Sequence, residues 1–343
     1  MAKTGANSIE RPLVVRFVGK DPFDDIDWPA MFPGRNLLHN GVQCVFGGHG
    51  DQDVLAVLDG IKYDQTTRVK KGGVWAWNTE MGIHRPYPKC FDLIFFHQES
   101  DERFVQSPPV LNWWVKKSFD ELASMEPPTK THAMSAIAST RSHVPGHIAR
   151  SEFIELVEKE FPDVHIFGRG RARELSDKWD GLAPYRFTIA IENASLPHYW
   201  TEKITDAFMS YSVPLYYGAP NIGEYFPEDS YIWLPIDEPA RALEVIRQAI
   251  NDDSWERRLE AVADARRLIL ERWCLAEQVT RAVNERKALL RSAPTVTARV
   301  LGRRVWEDGW VRGVRIRKNL GIVWRFGLRL GSRVVKRIVS RGR

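Results

Sequence analysis

Residues 185–232 constrain the fold of this chain more than any other stretch. Residues 187–191 form a β-rich run and a polar loop follows. Thr201 then stands as an N-cap, and Ile204, Ala207, Phe208 and Tyr211 recur at helical spacing before residues 213–217 return as a strand. In a strand–loop–helix–strand unit, ligands collect at the carboxyl ends of the strands, where the helix N-terminus offers free N–H groups and a partial positive charge to phosphate. Glu192, Asn193, Tyr199, Glu202 and Lys203 all fall close to that turn.

The residues in question are Phe187 with Glu192-Asn193-Ala194, then Tyr199-Trp200-Thr201-Glu202-Lys203, Ala207, Val213-Pro214, Tyr217-Gly218 and Pro227-Glu228-Asp229-Ser230-Tyr231-Ile232. Together they closely resemble the donor-binding signature of the α-1,3-fucosyltransferases, glycosyltransferase family ten. One departure is Ala194, where the family usually has serine; Ser195 follows it. The resemblance implies an α/β fold of the GT-B architecture, two Rossmann-like domains facing a cleft, and a GDP-fucose donor.

A chain of 343 residues that is 43% hydrophobic and 27% charged is long enough for two buried cores. Cys44, Cys90 and Cys274 are far apart and in no C-x-x-C arrangement, so neither a disulfide framework nor a zinc site is suggested. No apolar run approaches the roughly 20 residues that span a bilayer, and the N-terminus has no signal-peptide core. The animal and plant members of the resembled family carry an N-terminal anchor, so the expectation is a bacterial enzyme in a reducing cytoplasm, peripheral on the inner membrane.

Strand-like runs at 13–18, 42–46, 53–58, 74–77 and 91–96 precede a Pro127-Pro128 linker. After it come a strand at 133–139, a helix at 148–161, a strand at 164–167, and helical segments at 241–250, 255–271 and 277–290. Alternation on both sides of the linker divides the chain into an acceptor-side domain (1–128), a donor-side domain (129–295) and a basic tail (296–343). Residues 301–343 hold thirteen basic residues against Glu307 and Asp308, a charge of +11 that leaves −6 on the remainder. With Leu320, Val323, Trp324, Leu328 and Val335 near a helical period, that tail reads first as an anchor on an anionic membrane surface. A solvated, disordered tail is the second reading, favoured by Gly313, Gly321, Gly327 and Gly331; nucleic acid is the third, and no nucleic-acid fold signature accompanies the charge.

Two further places carry the resemblance. Val74-Trp75-Ala76-Trp77-Asn78-Thr79-Glu80, followed by Phe91-Asp92 and Ser100-Asp101, is similar to the family's acceptor-domain pattern, although Met81-Gly82 replaces its serine and proline. Glu80 then occupies the position of the general base, whose carboxylate takes the acceptor proton as the hydroxyl attacks; Asp101 and Glu99 are the next carboxylates in line. Arg150-Ser151-Glu152-Phe153 resembles the family's R-x-x-[FY] element, whose arginine contacts the diphosphate. By side-chain chemistry Lys203 suits the leaving diphosphate, Glu202 suits ribose or guanine donors, Asn193 can donate to a phosphate oxygen, and Tyr199 offers a ring and a hydroxyl.

Asp25-Ile26-Asp27 and Asp51-Gln52-Asp53 spell the D-x-D metal signature of the other major glycosyltransferase architecture, but such triplets arise readily by chance and the resembled family needs no metal. The Gly47-Gly48-His49-Gly50 and Gly168-Arg169-Gly170 clusters read as turns, and the nine histidines show no metal-ligand spacing. The resulting expectation is an inverting, metal-independent transfer of L-fucose from GDP-fucose to a glycan hydroxyl, α-1,3 on an N-acetylglucosamine of lipopolysaccharide or a related oligosaccharide. A transferase of another GDP-linked hexose, or an inactive glycan-binding or membrane-associated protein on the same fold, remain the alternatives.

Overall fold

The structure, a computed structural model, describes residues 10–19, 25–79, 88–98, 102–109, 113–140, 145–252 and 254–302. Glu80, Glu99, Asp101 and the tail from Arg303 lie outside the described residues.

The first half is built from β1 (Leu13–Gly19), β2 (Leu38–His39), β3 (Val42–Phe46), β4 (Val54–Leu58), β5 (Gln65–Lys70), β6 (Val74–Trp77), β7 (Leu93–Phe96), β8 (Phe104–Gln106) and the short helix α1 (Phe119–Ala123). Seven of these strands form one sheet in the order β2-β3-β1-β4-β6-β7-β8, parallel throughout except at the β2–β3 edge. The run Val54-Leu55-Ala56-Val57-Leu58 is buried at every position, as a central parallel strand covered on both faces must be.

The second half contains β9 (His132–Ile137), α2 (Pro145–Glu160), β10 (His165–Phe167), β11 (Tyr185–Ile191), α3 (Glu202–Met209), β12 (Val213–Tyr217), β13 (Ile232–Trp233), α4 (Pro239–Asp252) and α5 (Trp255–Leu268). Its sheet runs β10-β9-β11-β12-β13, parallel throughout. Thr201 caps α3 through its side chain, as its position predicts, while Ile204, Ala207, Phe208 and Met209 are wholly buried. The helix stops at Met209 because Tyr211, expected within the helical period, takes a left-handed φ of 57°. Two parallel α/β sheets are the expected twin Rossmann-like architecture.

The chain then leaves α5 through a π turn, Ile269–Trp273, and continues as α6 (Leu275–Asn284), α7 (Lys287–Ser292) and β14 (Thr295–Val300). This departs from the expected division, which assigned residues up to 295 to the donor-side domain and began the tail at 296. Glu277 bonds His39 at 2.6 Å, Gln278 takes the Ser107 hydroxyl at 3.1 Å, and the Arg286 guanidinium lies 5.9 Å from the rings of Trp75 and Phe95. β14 pairs antiparallel with β5, so residues 295–300 are an ordered strand of a two-stranded ribbon. The reason is coverage. Among the described residues the first half owns only one α-helix before Pro127, so α6 and α7 cover one face of its sheet and the ribbon covers the other. On the ribbon face Val69 and Val300 close a core with Leu55, Val57, Ile94 and Phe96. Among the described residues no helix is long and apolar enough to cross a membrane.

Lys130, just beyond the Pro-Pro linker, fastens the entry to the second half. Its ammonium donates to Ala183 O at 2.9 Å, Ser210 O at 2.7 Å and Ser212 Oγ at 3.2 Å, and burial pushes its pKa down to about 7. Between that value and the ordinary lysine range the unfolded chain binds the proton that the folded chain has released, so this residue adds stability as pH rises. Lys130→Met, which removes the titration and strands two carbonyls, is expected to destabilise the protein by about 1–3 kcal/mol. Urea unfolding at pH 7 and pH 9 should show the gap to wild type widening at the higher pH, by at most about 1.4 kcal/mol per pH unit.

Candidate active site

The carboxyl ends of both sheets open onto one cavity of about 410 Å³. Thr79 follows β6, Ala138 and Ser139 follow β9, Gly168 and Arg169 follow β10, and Asn193 follows β11; all of them line it. Arg150, Asn193, Tyr199, Glu202 and Lys203, far apart in sequence or on different elements, converge on this space. Glu80 lies outside the described residues, and its neighbour Thr79 stands at the cavity wall.

The cavity is assembled around Glu192, the last residue before the loop. Its side chain has no exposed surface. It accepts from the Thr201 backbone N–H at 2.7 Å and the Thr201 hydroxyl at 2.8 Å, and Lys203 Nζ lies 3.2 Å away. Lys203 Nζ also donates to Thr201 Oγ1 at 2.9 Å and sits 3.4 Å from Glu202. Although burial works against its charge, Glu192 and Glu202 raise the Lys203 pKa, so the ammonium stays protonated. For Glu202 burial acts upward, yet Lys203 and Lys178 together bring its pKa down to about 2. Glu202 is therefore an anion at every pH of interest, held between two lysines.

Arg150 is on the second turn of α2 and 7% exposed. Its Nη1 donates to Asn193 Oδ1 at 2.7 Å, while its Nε is buried without a partner. The oxygen of Asn193 being occupied, the amide nitrogen is the end left to donate. Tyr199 is 1% exposed and lies with its ring 5.1 Å from His97. It follows His198, whose left-handed φ of 62° turns the chain into the motif. Gln106 of the first half reaches His198 Nδ1 at 2.6 Å, so the loop is also fixed across the two sheets.

Several residues here were not singled out from sequence. Lys178, on a 3-10 turn at Lys178–Gly181, bonds Asp206 at 2.7 Å and approaches Glu202 at 3.7 Å. Asp206 is 2% exposed and also accepts from the Trp114 backbone N–H at 2.6 Å. A charged residue one turn into a helix, set among Ile204, Thr205, Ala207 and Phe208 as Asp206 is, was the available signal; Lys178 offered none. The Gly168-Arg169-Gly170 stretch, read as a turn, is one, but it borders the cavity. A Cβ on Gly168 would stand 2.3 Å from Ala138 O, so the close approach of two strand ends demands glycine there.

The D-x-D triplets are engaged elsewhere. Asp53 takes both Arg11 nitrogens at 2.8 Å and the Val14 N–H at 2.9 Å, and Asp27 pairs with Arg35 at 2.8 Å. Among the described residues no group of three or more His, Cys, Asp or Glu could hold a metal ion.

Gly146, in the first turn of α2, lets this helix meet the loop after β11: a Cβ there would lie 1.7 Å from Asn193 O. Gly146→Ala is therefore expected to push the two apart, breaking the Arg150–Asn193 bond and costing about 1–3 kcal/mol of stability. Urea denaturation checks the stability, and unchanged stability would mean the helix start can yield freely.

Residues 128–250 match the family model described as glycosyltransferase family 10 (fucosyltransferase) C-term. The chain is 36% identical over 86 residues to a GDP-fucose protein O-fucosyltransferase 3 of Danio rerio, covering 25% of this chain and 19% of that protein. It is 29% identical over 110 residues to an alpha-(1,3)-fucosyltransferase of Helicobacter pylori, covering 31% of this chain and 22% of that protein. The matched stretches thus span about a fifth of the length of these curated relatives. Among solved structures an alpha1,3-fucosyltransferase superposes with a TM-score of 0.49 at 17% identity, over 76% of this chain and 83% of that one. The stretch that carries Arg150, Asn193, Glu202 and Lys203 is thus the part of this chain that is similar to the C-terminal domain of the family 10 glycosyltransferases.

Proposed function

We propose that the protein transfers L-fucose from GDP-fucose to a hydroxyl of an oligosaccharide or lipopolysaccharide acceptor, inverting the anomeric carbon and using no metal. The observation that carries this reading is the convergence of Arg150, Asn193, Tyr199, Glu202 and Lys203 at the carboxyl ends of parallel strands, inside a fucosyltransferase family domain. The Arg150 guanidinium, with a buried N–H unsatisfied, and the Asn193 amide suit the diphosphate oxygens. Lys203, permanently charged, would balance the negative charge that grows on the leaving GDP, a task that a divalent ion performs in metal-dependent transferases. Glu202 suits the ribose hydroxyls. Glu80, next to Thr79 in sequence, would take the acceptor proton as the new glycosidic bond forms.

The donor reading is tested by measuring product from GDP-fucose and GDP-mannose side by side, with EDTA present throughout. Turnover of GDP-fucose is expected to survive; loss in EDTA with recovery on manganese would reverse the metal-free reading, and a preference for GDP-mannose would change the sugar. Arg150→Ala and Lys203→Ala each remove a charge-assisted contact of about 1.5–3 kcal/mol. Calorimetry should therefore show GDP affinity falling roughly tenfold or more in each, whereas unchanged affinity in both would remove the diphosphate assignment. Glu80→Gln keeps shape but cannot accept a proton, so transfer should fall by about two to four orders of magnitude with GDP affinity nearly constant.

The name of the Danio rerio relative favours a second acceptor class, a protein hydroxyl. The same assay with glycan and protein acceptors distinguishes the two. The basic tail, outside the described residues, would hold the enzyme on an anionic inner-membrane face with no role for nucleic acid. Removing residues 303–343 should abolish co-sedimentation with anionic vesicles at low salt, since each basic residue near such a surface adds about 1 kcal/mol before screening. Equal pelleting of both forms would show the tail to be an appendage.

A further inference from the structure

The reaction as read above leaves one wall of the cavity without a task, that formed by Trp114, Lys178 and Asp206. Trp114 is 41% exposed and lines the cavity. Its ring has no aromatic or cationic neighbour among the described residues, whereas Trp28, Trp75, Trp200 and Trp273 each pack against another ring. The backbone beneath that open ring is nonetheless clamped. Its N–H donates to one oxygen of the buried Asp206 at 2.6 Å, and Lys178 holds the other at 2.7 Å. A large, flat apolar ring on a fixed backbone at a cavity wall is an ordered platform for another flat ring, because little conformational entropy is lost when something stacks on it.

Resting on the GDP-fucose reading, we propose that the Trp114 indole is the stacking platform for the nucleobase of the donor, with Lys178 and Asp206 as the pair that positions it. The placement follows from the charge relay. From Lys203, contacts lead to Glu202 at 3.4 Å, from there to Lys178 at 3.7 Å, to Asp206 at 2.7 Å and to the Trp114 backbone at 2.6 Å. This relay runs from the phosphate cation past the carboxylate suited to ribose, the direction in which a nucleoside extends from its diphosphate. The hexose, at the other end of the diphosphate, would then lie on the Thr79 side of the cavity. Stacking recognises the π face of a base and needs no hydrogen-bond partner on the ring.

Calorimetric titration of the full chain with GDP, GDP-fucose and inorganic pyrophosphate tests this, using Trp114→Leu, which keeps apolar bulk without a π face, and Trp114→Phe, which keeps a smaller one. Trp114→Leu is expected to weaken GDP and GDP-fucose equally, by roughly tenfold, with Trp114→Phe between it and wild type and pyrophosphate affinity unchanged in both. Equal GDP affinity in wild type and Trp114→Leu overturns the proposal. A loss confined to GDP-fucose also overturns it, assigning the ring to the sugar, and a loss that extends to pyrophosphate overturns it by showing damage to the whole site. A wild-type chain that fails to bind GDP overturns the donor reading itself, an outcome seen before any variant is compared.

Discussion

Glu192 is a carboxyl group with no exposed surface, its pKa raised by burial against the pull of Lys203, and the geometry of the cavity hangs on how that group is satisfied. Taking a carboxylate out of water costs several kcal/mol even after relaxation. Thr201 offsets this with its backbone N–H and hydroxyl, and Lys203 with its ammonium. Because Thr201 is also the N-cap of α3, one carboxylate joins the end of β11 to the first turn of the helix that follows it. Glu202 and Lys203 therefore stand at fixed positions relative to Asn193. The neighbouring strand accommodates the arrangement with glycine: a Cβ on Gly218 would lie 2.6 Å from Glu192 Cγ.

The cluster that results sets its cations against carboxyl groups. Arg150, Lys178 and Lys203 face Glu192, Glu202 and Asp206, and Arg169 at the rim is the cation in excess. A row of unpaired cations would bind a diphosphate more strongly but would repel itself when empty. Here the carboxylates hold the lysines in place, and the group with spare donor capacity is the Arg150 guanidinium. On the proposed GDP-fucose reading, selectivity for a nucleotide over free phosphate would come from the uncharged parts of the ligand.

The two halves are coupled by more than the linker. α6 and α7 return from the second half to cover the first sheet, and the Gln106–His198 bond ties β8 to the loop that carries Tyr199. Each sheet thus contributes to the cavity through elements anchored in the other. A change in the first half that shifts Gln106 acts directly on the loop that carries His198 and Tyr199.

The motif of residues 185–217 was legible in the sequence because its residues are local. Strand, N-cap and helix alternate within residues 185–217, and hydrophobic period, a capping threonine and an apolar return strand ending in two tyrosines are short-range signals. The buried run of β4 and the separation into two α/β sheets were legible for the same reason. Where α6, α7 and β14 would dock was not, since helical period says which face is apolar but not which sheet it covers. Neither was the wall of Trp114, Lys178 and Asp206. Its members lie on three separate elements, and neither a lysine in a polar segment nor a tryptophan in an apolar one carries a local mark of the carboxylate it will meet. The sequence by itself determined the elements and the residue types at the turn after β11; only the tertiary structure decided which distant side chains share the cavity, because burial of charge is satisfied through contacts that have no period along the chain.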